Sequence, residues 1–101
     1  MTHRFHPGAL QEFEESVRYY HARRQGLGNR FADEVRSTIR RIVDAPERWR
    51  VVEEDVRRCA VRVFPYSVLY TIEPESILIV AVMHNKRQPV YWRYRLGIDQ
   101  E

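Results

Sequence analysis

Arg62, His84, Lys86 and Arg87 are the side chains of this 101-residue chain with the most chemistry to offer. All four lie between Arg62 and Trp92, a stretch that opens with Arg62-Val-Phe-Pro-Tyr-Ser and closes with His84-Asn-Lys-Arg-Gln-Pro-Val-Tyr-Trp. A guanidinium forks onto phosphates and carboxylates, so such a cluster suits RNA, DNA or an acidic protein. The whole chain leans the same way. Its net charge is +3, and every one of its 17 Lys and Arg residues except Lys86 is arginine. A GC-rich genome would produce the same arginine bias without any functional demand.

Other chemistries are poorly supported. His3, His6, His21 and His84 show no metal-ligand spacing, and Cys59 has no second thiol. Cys59 reads as a small buried hydrophobe on a strand. There is no glycine-rich phosphate loop and no GxSxG, so no cofactor is expected. A single cysteine cannot close an intramolecular disulfide, which fits a reducing cytoplasm. The longest strongly apolar run, Ile77 to Met83, is far too short to span a bilayer. Residues 1–101 are expected to form one domain, because 44% hydrophobic and 31% charged residues are the composition of a globular protein.

The elements that must position the cluster can be read in order. Thr2 to His6 suits a short strand, and Pro7 suits the first turn of a helix, where its missing donor costs nothing. Leu10, Phe13, Val17 and Tyr20 then keep helical spacing until Gly26-Leu27-Gly28 interrupts. Phe31, Val35, Ile39 and Ile42 form the stripe of a second helix that Asp44-Ala45-Pro46 stops. The short connection makes the helices an antiparallel hairpin. Trp49 to Val52 suits a short strand, followed by the charged loop Glu53-Glu54-Asp55. Cys59, Val61 and Val63 alternate with Arg58, Ala60 and Arg62, the period of a half-buried strand. Phe64-Pro65-Tyr66 and Glu73-Pro74-Glu75-Ser76 read as turns. Ile77 to Met83 is apolar throughout, as in an interior strand covered on both faces. Tyr91 to Arg95 suits a terminal turn or short helix, and Gly97 to Glu101 a loose end.

The fold class that follows is α+β, with an N-terminal strand and a helical hairpin packed on one face of a small antiparallel meander. Two helices cover one face only. The opposite face is expected to stay open, with Arg62 on it because Cys59, Val61 and Val63 point to the helices.

At this level the chain resembles the RelE/ParE toxins, most closely the ParE-like, plasmid-stabilisation branch. The resemblance is carried by Tyr19-Tyr20, Gly26-Leu27-Gly28 with Phe31, Pro46, Arg62-Val-Phe-Pro-Tyr, Tyr70, the Ile77–Met83 strand, the His84-to-Trp92 run and Arg95. It runs from about Phe5 to Arg95. It implies the toxin of a type II toxin–antitoxin pair, held inactive by a small acidic antitoxin. ParE-like members act on DNA gyrase by protein contact, and RelE-like members cut mRNA on the ribosome.

The resemblance therefore yields two sets of roles. For a gyrase inhibitor, Arg62, Tyr66, His84, Lys86, Arg87, Tyr91 and Trp92 are the candidate target-binding residues. For a metal-independent endoribonuclease, Arg62 would hold the scissile phosphate and His84 would act as base or acid. Lys86 and Arg87 would then bind flanking phosphates and Tyr91 would stack on a base. Val51-Val-Glu-Glu-Asp places acids where RelE carries a basic cluster, which argues against the nuclease. A third possibility is a toxin-like module that only binds its partner.

Overall fold

The computed structural model describes residues 1–88 and 90–98, so Pro89 and the end of the expected loose tail, 99–101, lie outside the described residues. Two helices pack on one face of a five-stranded mixed sheet. The elements are β1 (Thr2–Phe5), α1 (Pro7–Arg23), α2 (Leu27–Asp44), β2 (Val51–Glu53), β3 (Val56–Ala60), β4 (Tyr66–Ile72) and β5 (Ser76–His84). A 3-10 turn follows at Arg93–Leu96. Spatial order in the sheet is β1-β5-β4-β3-β2. The run from β2 to β5 is the expected antiparallel meander, and β1 joins it parallel to β5.

Local chemistry explains the helix ends. His6 is the N-cap of α1: its backbone is extended and its Nδ1 accepts from Gly8 N at 2.9 Å, just ahead of the helix that Pro7 opens. The helix-breaking glycines divide their work. Gly26 takes φ 81°, the left-handed conformation that reverses the chain. Gly28 lies inside α2 and is buried, and a Cβ there would stand 2.7 Å from the Val17 carbonyl oxygen. It permits the two helices to touch.

The helix-facing core follows the α2 stripe, whereas of the α1 stripe Phe13 is buried, Val17 and Tyr20 are partly buried and Leu10 is 40% exposed. Phe31, Val35, Ile39 and Ile42 of α2 are buried against Cys59, Val68, Tyr70, Ile77, Ile79 and Val82 of the sheet. Aromatic rings close its upper end, with Phe31 4.8 Å from Tyr66 and 5.1 Å from Phe64, centroid to centroid. β5 is interior, and Ile77 to Met83 are all buried. The Phe64-Pro65-Tyr66 turn is tight, since Tyr66 N donates to Phe64 O across Pro65 at 2.8 Å.

Two expectations need correction. The second face of the sheet is not open. Leu69, Leu78, Val80, Ala81 and Met83 make it apolar, and the segment Val90–Ile98 lies across it with Trp92 only 1% exposed. A bulge widens this patch: Leu69 pairs with Ala81 and Tyr70 with Ile79, so Val80 is the extra residue and both Val80 and Ala81 join the second core. A short irregular strap has no period to read, which is why its covering role is hidden in the sequence. The second correction concerns Arg62. β3 ends at Ala60, and although Val61 is still buried, Val63 is 69% exposed with φ 75°. The strand therefore ends two residues before Arg62 and the alternation fails at Val63, so Arg62 sits on an exposed bend rather than on a sheet face.

Candidate functional site

The strand-end cluster gathers where β5 finishes. Tyr66 and His84 are cross-strand partners with ring centroids 5.1 Å apart. His84 is half-buried, and its Nδ1 accepts from Lys86 N at 3.1 Å, which orients the ring. Arg62 belongs to the same end, since the neighbouring Val61 N donates to Tyr66 O at 2.9 Å. Lys86 and Arg87 are exposed on the turn that follows β5. Tyr66 and Trp92 are buried, so they support this surface rather than form it. Tyr91 is half-buried beneath Arg87, whose guanidinium carbon lies 3.8 Å from the ring centroid.

Beneath this cluster lies a clamp that joins Tyr91 and Arg95 to Glu12, a residue that sequence reading did not single out. Beyond Phe5, β5 has lost its parallel neighbour, and two side chains take over its hydrogen bonds. Glu12 Oε1 accepts from Val82 N and Arg95 Nη1 donates to Val80 O, each at 3.0 Å. The two side chains also bond one another through two contacts of 3.0 Å, and Tyr91 OH donates to Glu12. Their side chains are 11% and 6% exposed. Burial opposes the charge on Arg95, but its hydrogen bonds to Glu12 outweigh that and raise its pKa above the ordinary arginine value. Burial and the bond to Glu12 likewise raise the Tyr91 phenol, keeping it a donor. The clamp fastens the C-terminal strap to α1. The i to i+83 separation of its members is invisible to any local pattern.

A second charged feature runs along the opposite edge of the sheet. Arg41, Arg48, Trp49, Arg50, Arg58 and Ala60 line a groove of about 600 Å³. Its walls come from the last turn of α2, the α2–β2 loop and β3. The loop is held in place from below: Tyr70 OH donates to Pro46 O, while Arg57 Nη1 donates to Glu47 O at 3.1 Å and Trp49 O at 2.7 Å. Burial pushes the Tyr70 phenol up to about 12, so it remains the donor.

The groove arginines are oriented by neutral groups. Arg58 donates through Nε to Ser67 Oγ and through Nη2 to Asn85 Oδ1, both at 3.0 Å. Arg41 donates to Thr38 Oγ1 at 3.3 Å, and Arg48 lies 5.7 Å from the Trp49 ring centroid. Arg41 and Arg62 are both close enough to the buried Cys59 thiol to oppose the rise that burial gives its pKa. Arg62 is exposed two residues beyond Ala60, which lines the groove. Among the described residues, none of Arg41, Arg48, Arg50, Arg58 and Arg62 forms an ion pair. Arg58 was legible as the member of the β3 alternation opposite Cys59; only the fold brings it beside Arg41, Arg48 and Arg50.

The acids expected to spoil an RNA path do not enter this groove. Glu53 pairs with Arg93 at 2.9 Å, and Glu54 and Asp55 are exposed at the β2–β3 turn. No three His, Cys, Asp or Glu side chains among the described residues are grouped to hold a metal ion. No described helix is long and apolar enough to cross a membrane.

Comparison with known proteins bears on this arrangement. The family profile described as the ParE toxin of the type II toxin–antitoxin system parDE matches residues 3–89. No curated protein matches the chain in sequence. Among solved structures, the chain is similar to one from the chromosomal ParDE TA system of P. aeruginosa. The TM-score is 0.69 at 12% identity, over 83% of this chain and 95% of that one. At that identity the likeness is one of fold.

Proposed function

The chain belongs to the ParE toxin family of type II toxin–antitoxin systems, and from that membership we propose that it arrests growth by contacting DNA gyrase and is neutralised by a cognate acidic antitoxin. The observation that carries this reading is the closed second face of the sheet. Trp92 and its neighbours cover the sheet face that was expected to stay open as an arginine-bearing site. Around Arg62 and His84 no carboxylate among the described residues is hydrogen-bonded or ion-paired to either side chain, so the parts of an acid–base pair are not assembled. Contact with a protein target needs only the surface formed by the exposed Arg62, Lys86 and Arg87 and the half-buried His84 and Tyr91, with Tyr66 and Trp92 beneath it. The excess of unpaired arginine fits an acidic antitoxin.

One observation favours a second reading, a ribosome-dependent mRNA endonuclease: the link from Val61 to Tyr66 to His84 brings Arg62 and His84 to one end of the sheet. Both readings are separated by inducing the protein alone in bacteria and mapping new mRNA 5′ ends within minutes. The gyrase reading expects growth arrest with intact messages, relieved by the antitoxin. New ends inside translated frames, lost in Arg62→Ala and His84→Ala, would replace it with the nuclease. Harmless expression at confirmed protein levels would leave a partner-binding module without toxicity.

A further inference from the structure

We infer that the groove of Arg41, Arg48, Trp49, Arg50 and Arg58, continued by Arg62, binds the phosphodiester backbone of single-stranded nucleic acid without cleaving it. The inference does not rest on gyrase as the target.

Three features of the groove support it. Its charge is uncompensated, because none of the five arginines is ion-paired among the described residues. Some arginines outside it are paired, as in Arg4 with Glu73 and Arg93 with Glu53, and others such as Arg18 and Arg30 have no ion pair among the described residues, so what distinguishes the groove is the convergence of its unpaired arginines. The groove is also pre-organised. Ser67, Asn85 and Thr38 hold two of the guanidiniums by neutral acceptors, so little side-chain freedom is lost on binding and no charge is quenched. Arg48 and Arg50 sit on the loop pinned by Tyr70 and Arg57.

The shape and lining then select among anions. The groove of about 600 Å³ is open and carries an indole in its lining; a duplex keeps its bases stacked inside and offers none to that indole, whereas a single strand does. A half-buried indole among guanidiniums is a surface on which a base can stack while the cations follow the backbone. An acidic peptide would share the charge but has no planar base for the indole. Next to Arg62, Val63 holds φ 75°, a conformation rare for a β-branched residue, and strain of this kind gathers at working surfaces. Among the described residues, no acid lines the groove, and Glu53 is engaged by Arg93.

The test uses the purified full chain and fluorescein-labelled 15-mers of deoxythymidine and of uridine, read by anisotropy across a salt series. The expected result is saturable binding of both, with affinity falling linearly on a log–log salt plot by roughly 0.7 per phosphate contacted. Arg48→Ala/Arg50→Ala should weaken binding roughly tenfold and flatten the slope by about 1.4. The charge-matched Arg18→Ala/Arg30→Ala, on exposed helix positions away from the groove, should change it far less. Unlabelled strand should quench Trp49 fluorescence, and Trp49→Phe should abolish the quench; Trp92 is buried and should not respond. Gel analysis should show the strands intact.

Equal weakening in both double variants would overturn the proposal in favour of diffuse charge. So would tighter binding of a 15-residue polyglutamate than of either strand. A preference above about tenfold for one sugar would overturn the backbone contact, and cleavage of the strand would overturn the non-cleaving role.

Discussion

Arg95 reaches the β5 side of the sheet and Arg58 stands on β3, and the two use the same guanidinium in opposite ways. Arg95 is enclosed, bonded twice to a buried carboxylate and once to a strand carbonyl, and its charge is neutralised inside the fold. Arg58 is fixed just as firmly, but by a hydroxyl and an amide that leave its charge intact. The difference separates structure from function. Where an arginine is buried with its counter-ion, removing either partner should damage the fold. Where it has only an orienting shell, the charge is directed outward and its loss should damage recognition instead.

The comparison can be broken most directly at Glu12. Glu12→Ala leaves Arg95 buried without its carboxylate and deprives Val82 N and Tyr91 OH of their acceptor. The expected cost is about 3–5 kcal/mol in urea denaturation. Arg58→Ala, measured alongside, should cost less than about 1 kcal/mol. Equal costs would erase the distinction drawn here.

Gly8 sharpens it. A Cβ at Gly8 would lie 2.7 Å from the Arg95 guanidinium, which the clamp prevents from moving aside. Gly8→Ala should destabilise by about 1–3 kcal/mol. In the Glu12→Ala background Arg95 is released, so the same substitution should cost much less, and a double-mutant cycle reads the difference. Simple additivity would mean that Arg95 is not rigidly held.

The smallest expected effect is a pH response next to the clamp. Burial, and then the nearby Arg95 charge, lower the His6 pKa below its ordinary 6.5. The unfolded chain therefore takes up the proton first as pH falls. His6 contributes its full stability above pH 6.5 and loses it as pH drops through the lowered native value. The physical event is loss of the Nδ1 acceptor that caps α1, worth about 1 kcal/mol. His6→Asn keeps a capping acceptor without titrating, so its stability should be flatter between pH 7 and 5. An unchanged profile would assign the acid sensitivity to another group.

What could be read from the sequence, and what could not, follows the range of the interactions. The helix stripes ending in Ile42, the interior strand Ile77–Met83 and the turn at Pro65 are local patterns, and each is present in the fold. Arg62, Lys86 and Arg87 are exposed as the cluster required, yet Arg62 left its strand because alternation describes a chain only while it stays extended. The strap is different in kind. Trp92 and Arg95 matter through partners such as Leu69 and Glu12, which no spacing rule connects to them. The groove likewise draws Arg41, Arg48 and Arg58 from three elements. Its arginines were visible as a compositional bias; their convergence was not.

The central functional claim is contact with gyrase, and a supercoiling assay tests it most directly. Purified DNA gyrase would be incubated with relaxed plasmid, ATP and increasing amounts of the full chain. The expected result is a dose-dependent loss of supercoiling that the cognate antitoxin reverses and that substitution of the exposed Arg62, Lys86 and Arg87 weakens. Undiminished supercoiling at a large excess of a folded chain that arrests growth in cells would contradict it.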